Sequence, residues 1–161
     1  SSNRTLLPVV TLIIMETFIS KMRRLKGVRK MILIEECWKA LTSANMSAYI
    51  RYLFKTVRKY FGEAVVVTQE MDDIISSPIV KESIINNADC KILLDQRKYR
   101  NKFDQIQTLL GLTDKERAQV LSINLSNDPA RRYKEVFISL GGVQSAVYAT
   151  EVSDEEYLVR P

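Results

Sequence analysis

Two acidic residues directly follow a short apolar run near the start of the chain. Met31 to Ile34 are all apolar, and Glu35 and Glu36 come next. A continuous apolar run predicts a strand buried on both faces, as in parallel sheets covered by helices. An apolar strand followed by two acids is the pattern of a Walker B strand. In that pattern the first acid can position magnesium near a bound nucleotide, and the second can polarise a water molecule. The alternative interpretation is a pair of solvated charges at a strand end.

A second strand-like segment ends in a similar way. Ala64 to Val67 are apolar, and Thr68, Gln69 and Glu70 follow them. A glutamine in this position can orient water against a terminal phosphate. Between the two segments lies an amphipathic helix, and Arg58 stands close to its C-terminal end. This arginine either reaches the phosphate of a neighbouring subunit or is a solvated charge on a basic helix face.

The elements that must position these residues alternate between helical and strand-like patterns. We predict helices at residues 8–25, 44–61, 77–86, 99–110 and 113–121, and strands at 31–34, 64–68, 91–94, 135–140 and 143–149. Gly141 and Gly142 predict a two-residue turn between the last two strands. This order predicts an α/β fold with a three-layer, mostly parallel sheet and a C-terminal antiparallel hairpin. Chemistry is then expected at the carboxyl ends of the strands, which also carry Asp95 and Gln96.

Length and composition limit the remaining possibilities. The chain has 161 residues, 46% of them hydrophobic and 27% charged, so we expect a single globular domain over residues 1–161. It has no histidine and only Cys37 and Cys90, which excludes a zinc site, a Ser/His/Asp triad and a Cys/His dyad. The two cysteines are predicted to be buried, reduced thiols. The longest apolar stretch, Leu6 to Met15, is too short to span a bilayer, and no signal peptide is recognisable.

The charge of the chain leaves the type of partner open. A net charge of +5 permits an anionic partner but does not require one. Tyr49, Tyr52 and Phe54 lie beside basic residues, so they can stack on single-stranded DNA. Their helical spacing instead favours contacts in the core or between subunits.

Three segments, and several shorter ones after them, share the pattern of one protein family. The three are Ile32–Leu41, Arg58–Tyr60 and Val67–Glu70; the others are Ile85–Asn87, Lys91–Gln96, Leu110–Thr113, Glu135–Gly141 and Tyr148–Glu151. In this order they resemble the conjugation ATPases of type IV secretion systems. The similarity is greatest to the TraG family of conjugative transposons in Bacteroides-type bacteria.

The resemblance implies a RecA-like P-loop NTPase of the FtsK/HerA class that uses ATP and Mg²⁺. Such a protein works as a hexamer at the cytoplasmic face of the inner membrane, with other type IV secretion proteins and, as a further candidate, DNA as partners. The resemblance also implies that Glu36 activates water, that Glu35 helps to position magnesium, and that Gln69 senses the γ-phosphate. Thr68 would contact the nucleotide, and Arg58 would act across a subunit boundary.

Two features depart from the family pattern. The family usually carries Asp then Glu at the strand end, whereas this chain has Glu35 then Glu36, so the first carboxylate stands one methylene further out. The Walker A motif Gly-x-x-x-x-Gly-Lys-[Ser/Thr] does not occur in the sequence. We therefore expect the C-terminal part of a RecA-like motor domain, with no bound nucleotide and no ATP hydrolysis by the chain alone. The alternative is a non-catalytic basic interaction module that binds DNA or secretion-channel proteins.

Overall fold

The computed structural model describes residues 3–35, 44–75, 78–126, 130–131 and 133–159, and the chain divides into two compact units at Ala88 and Asp89. The strands are β1 (Lys30–Glu35), β2 (Gly62–Val67), β3 (Cys90–Leu93), β4 (Tyr133–Leu140) and β5 (Gln144–Glu151). The α-helices are α1 (Asn3–Arg24), α2 (Ala44–Thr56), α3 (Met71–Ile75), α4 (Pro78–Ser83), α5 (Phe103–Leu110), α6 (Asp114–Ser122) and α7 (Asp154–Val159). Short 3₁₀ turns cover Val57–Tyr60, Ile85–Asn87 and Arg97–Lys102. The single-domain organisation stays a prediction.

The first unit contains the two strands that carry the candidate site. β1 and β2 are parallel, with Lys30 opposite Gly62 and Glu35 opposite Val67. Both strands and the helix between them form where the sequence pattern predicts them. The apolar residues at helical spacing on α1 and α2 supply much of the core of this unit: Met15, Ile19, Met22, Met46, Ile50 and Leu53.

β1 is not buried on both faces, so that prediction is wrong for this chain. Met31 and Leu33 are each 59% exposed, whereas Ile32 and Ile34 are half-buried. Side chains alternate along a strand, so one face of the sheet is partly covered and the other faces outward.

β3 also differs from its prediction, because it belongs to an antiparallel sheet. It pairs with β4, which in turn pairs with β5, in the order β3-β4-β5. A four-residue apolar run indicates a buried strand but carries no information on the direction of its neighbour. The α/β fold and the C-terminal antiparallel hairpin of β4 and β5 are confirmed. The prediction of one mostly parallel sheet is wrong, because the described strands form a two-stranded parallel sheet and a separate three-stranded antiparallel sheet.

Three local details complete the comparison. The hairpin loop has three residues rather than two, since Leu140 pairs with Gln144, although Gly141 and Gly142 both take positive φ as the turn requires. The helix predicted at 113–121 begins with a capping box, in which Thr113 accepts a hydrogen bond from the Glu116 amide. Cys90 is exposed at the start of β3 rather than buried, and Cys37 lies outside the described residues.

No helix within the described ranges is both long and apolar enough to cross a membrane.

Candidate functional site

The carboxyl ends of β1 and β2 meet at one edge of the parallel sheet. Glu35, the last residue of β1, lies opposite Val67, the last residue of β2. Neighbouring strands are about 4.8 Å apart, so Glu35 lies beside the segment that begins with Thr68 and Gln69. The structure therefore brings together three of the residues that the sequence analysis selected. Glu36, the fourth residue, lies outside the described part of the chain.

The segment after β2 is a turn held by its own threonine. Thr68 Oγ1 lies 3.2 Å from the Glu70 amide nitrogen, from which it accepts, and 3.3 Å from the Glu70 carbonyl oxygen, to which it donates. These bonds fix the backbone between β2 and α3, whose first residue, Met71, is buried. Gln69 is exposed within this turn, as is Glu35 at the end of β1. A carboxylate, a hydroxyl and an amide thus share one solvent-accessible edge.

The donor atoms at this edge suit a hard cation such as Mg²⁺. Carboxylate, hydroxyl and amide oxygens are the ligands that magnesium prefers, usually one or two carboxylates completed by water and phosphate oxygens. Within the described residues no group of three or more acidic or cysteine side chains forms a metal cluster. Glu35 and the neighbouring oxygen donors are compatible with a magnesium ion that keeps several water ligands.

Arg58 lies at the opposite end of the same sheet. It belongs to the 3₁₀ turn Val57–Tyr60, which immediately precedes the start of β2. Five strand steps of about 3.3 Å separate this end from the carboxyl edge, a distance of about 16 Å. The structure does not bring Arg58 together with Glu35 or Gln69 within one chain. Its proposed action on a neighbouring subunit stays a prediction.

Asp95, at the end of β3, has a partner that the sequence analysis missed. Its carboxylate accepts from the Arg97 amide at 3.0 Å and from Arg97 Nε at 2.8 Å, and Arg97 Nη2 lies 2.6 Å from Oδ2. The hydrogen bonds from Arg97 hold the pKa of Asp95 below its ordinary value. The spacing Asp-x-Arg could have predicted this contact, because Asp side chains commonly accept a hydrogen bond from the backbone amide two residues further on. Asp95 therefore organises its loop through an ion pair with Arg97.

Two tyrosines line a groove of about 690 Å³ between α1 and α2. The Tyr49 hydroxyl donates to Glu16 Oε2 at 2.6 Å. Arg23 donates to the Tyr52 hydroxyl, and its guanidinium carbon lies 5.6 Å from the centre of that ring. The bond from Arg23 lowers the pKa of Tyr52. One face of Tyr52 is thus already occupied by a cation, which disfavours base stacking there.

Comparison with known proteins defines the class of the fold and then the family. The structure is similar to that of VirB4 of Thermoanaerobacter pseudethanolicus, with a TM-score of 0.61 and 23% sequence identity. The match covers 84% of this chain and 34% of that chain, so this chain spans about a third of the VirB4 length. The TraG P-loop domain family matches residues 1–160. The chain belongs to this family, which confirms the resemblance found in the sequence; no curated protein matches it.

Proposed function

We propose that this chain is the C-terminal part of the RecA-like motor domain of a conjugative-transfer ATPase. The observation that carries the proposal is the register of β1 and β2, which sets Glu35 beside Thr68 and Gln69 at the carboxyl edge of a parallel sheet. Ligands of open α/β sheets bind at that edge. Membership of the TraG P-loop domain family supports nucleotide as the ligand.

Each residue at the edge has a distinct proposed role. When bound, ATP and Mg²⁺ supply the transferable phosphoryl group and the charge that stabilises its transfer. The Glu35 carboxylate would help to position the magnesium ion, and the Thr68–Glu70 turn would contact the nucleotide. Glu36 accepts the proton of the attacking water, as a general base does. Gln69 orients the same water and senses the γ-phosphate, while Arg58 contacts the phosphate of the adjacent subunit.

A phosphate cradle from outside this sequence completes the proposed site. The sequence has no Walker A motif, so its own backbone does not provide the amides and the lysine that hold the β- and γ-phosphates. The outward face of β1 supports the same conclusion, because parallel strands are ordinarily covered on both faces while Met31 and Leu33 are exposed here. We infer that the intact motor supplies both the cradle and the cover, and that it assembles as a hexamer.

The biological setting is proposed from the resemblance to the family. The intact protein would power assembly of the type IV secretion pore, or DNA transfer through it, from the cytoplasmic face of the inner membrane. A conjugative transposon of Bacteroides-type bacteria is the proposed source. Other secretion proteins are its expected partners.

The test uses the intact transfer protein that contains this domain. Glu36→Gln should retain ATP binding but hydrolyse ATP about 100-fold more slowly, because general-base catalysis is lost. Glu63→Gln is the matched control, since Glu63 is an exposed carboxylate near the amino end of β2. Normal hydrolysis by Glu36→Gln, or equal loss in both variants, would contradict the assigned role.

The second candidate, a non-catalytic basic interaction module, is favoured by one observation. Lys30 at the start of β1, and Arg58 and Lys59 in the turn before β2, place basic side chains at the amino end of the parallel sheet, away from the candidate site. The reading frame upstream of this sequence distinguishes the two candidates. A Walker A motif there supports the motor, and its absence supports the module.

A further inference from the structure

The Gln69 side chain is exposed at the carboxyl edge of β2 and is held only through its backbone. Its side-chain amide makes no hydrogen bond with another residue in the described ranges, so it is free for a water or a ligand. A glutamine has several rotatable side-chain bonds, so its position depends on how firmly the chain on either side is fixed. To orient a reacting water, a side chain must be held to within about 0.5 Å. The residues that flank Gln69 must supply that accuracy.

Thr68 fixes the chain on one side of Gln69. Its Oγ1 accepts a hydrogen bond from the Glu70 amide nitrogen at 3.2 Å and lies 3.3 Å from the Glu70 carbonyl oxygen. A hydroxyl that bonds the backbone two residues further on closes a small turn, and Gln69 is the residue at the centre of this one. β2 ends at Val67, so the turn follows the strand directly. The bond therefore determines the backbone that carries the Gln69 side chain.

Met71 fixes the chain on the other side of Gln69. It is the first residue of α3 and is 6% exposed, so its side chain belongs to the core of the first unit. Gln69 and Glu70 are exposed between these two anchors. Thr68 is also β-branched, which restricts rotation about its first side-chain bond and keeps the hydroxyl close to the Glu70 amide. The turn is thus short, closed by one side chain and anchored at both ends.

We propose that Thr68 is a positioning residue that acts through Gln69: its hydroxyl closes the turn that presents the glutamine amide to the attacking water. The inference rests on the proposed function, because it gives Thr68 a part in the hydrolysis step at the same edge. A hydroxyl that bound the nucleotide directly would contribute to ATP affinity, whereas a hydroxyl that closes the turn contributes to the rate of hydrolysis. The bond to the Glu70 amide already uses the hydroxyl, which favours the second role. Contact between the turn and the nucleotide then falls to the backbone.

The experiment compares ATP binding with single-turnover hydrolysis in the intact transfer protein that contains this domain. Thr68→Val keeps the branched shape of the side chain but removes the hydroxyl. It should leave ATP affinity nearly unchanged and slow hydrolysis by about 5-fold to 10-fold, the factor that one net hydrogen bond represents. Thr68→Ala, a second variant without the hydroxyl, should behave in the same way, and Thr68→Ser should hydrolyse ATP at close to the wild-type rate. Thr150→Val is the matched control and should hydrolyse ATP normally, because it removes a hydroxyl bond from β5 to the Lys134 carbonyl oxygen.

A double-mutant cycle tests whether Thr68 acts through Gln69. Once Gln69→Ala has removed the amide, the addition of Thr68→Val should slow hydrolysis no further. An equal further loss in that background would show an independent effect and overturn the proposal. Wild-type hydrolysis by Thr68→Val, no recovery in Thr68→Ser, or ATP binding weakened in proportion to the lost rate would overturn it as well.

The same variants separate this proposal from the proposed function. Slow hydrolysis by Gln69→Ala together with wild-type hydrolysis by Thr68→Val would refute the positioning role alone. Wild-type hydrolysis by Gln69→Ala would contradict the proposed site itself, and the role of Thr68 with it.

Discussion

Glu116 is a buried carboxylate that joins the start of α6 to the second sheet, and its removal should destabilise the second unit. The residue is 6% exposed. Its Oε2 accepts from the Thr113 amide at 2.8 Å, and its Oε1 accepts from the Ser139 hydroxyl at 3.1 Å. Ser139 lies on β4 and is itself 6% exposed, so this second bond connects α6 to the sheet away from water.

The magnitude follows from what each substitution leaves unpaired. Glu116→Gln keeps one oxygen for the Thr113 amide, and the Ser139 hydroxyl can rotate to accept from the new amide nitrogen. Glu116→Gln should then lower the free energy of unfolding by about 1 kcal/mol, because hydrogen bonds to a charged acceptor are stronger than those to a neutral one. Glu116→Ala leaves the buried Ser139 hydroxyl and the part-buried Thr113 amide without this acceptor, so a total loss of about 2 kcal/mol is expected, most of it from the hydroxyl. Glu151→Gln, which changes an exposed carboxylate on β5, is the control and should cost almost nothing.

The assay is amide hydrogen exchange in β4, which reports on the second unit specifically, combined with urea unfolding followed by circular dichroism. Hydrogen bonds from Thr113 and Ser139 lower the pKa of Glu116 from its ordinary 4.5. Its stabilising contribution is therefore complete above that value and is lost as the pH falls through the lowered pKa of the folded state. The difference between wild type and Glu116→Gln should shrink at acid pH. A difference independent of pH, or equal effects of the Gln and Ala variants, would refute this reasoning.

Three further predictions concern the first unit and the proposed motor. Gly62→Ala should destabilise the first unit by about 1–3 kcal/mol in urea unfolding, because a Cβ there would lie 2.6 Å from Val57 Cγ2 and 3.1 Å from the Val57 carbonyl oxygen; an unchanged midpoint would contradict that packing. The 161-residue chain alone should show no magnesium-dependent ATP hydrolysis, because its sequence has no Walker A motif to hold the phosphates. ATP hydrolysis by a preparation free of contaminating ATPases would show that the chain needs no such motif. In the intact protein, Arg58→Ala and Glu36→Gln subunits should each be inactive, yet mixed oligomers should regain partial activity, since some interfaces pair two intact residues. No recovery in demonstrably mixed rings would make Arg58 a solvated charge.

The sequence was most informative where a local pattern determines the structure. The stripe through Met46, Ile50 and Leu53 defined α2, and the Thr113–Glu116 capping box defined the start of α6. The parallel pairing of β1 with β2 was also predictable, because the helix between them leaves room for a crossover connection. The shared edge of Glu35 with Thr68 and Gln69 follows directly from that pairing.

The features that the sequence did not reveal depend on distant partners. The apolar run of β3 was recognised, but its antiparallel pairing with β4 is set by residues more than 40 positions further on. The left-handed residue that follows the 3₁₀ turn after α2 is Phe61 rather than the glycine beside it. Gly62 is instead required by its closeness to Val57. The contact between Arg23 and Tyr52 likewise joins two helices, so no local spacing could have predicted it.

The most direct test of the central claim, that the carboxyl edge of β1 and β2 is a site of ATP hydrolysis, is single-turnover hydrolysis by the intact transfer protein carrying Gln69→Ala. Binding of ATP should stay nearly unchanged while the hydrolysis step slows by about 100-fold, because the attacking water loses its orientation. Gln105→Ala, at an exposed position on α5, provides the matched control and should hydrolyse ATP normally. Hydrolysis at the wild-type rate by Gln69→Ala would contradict the account.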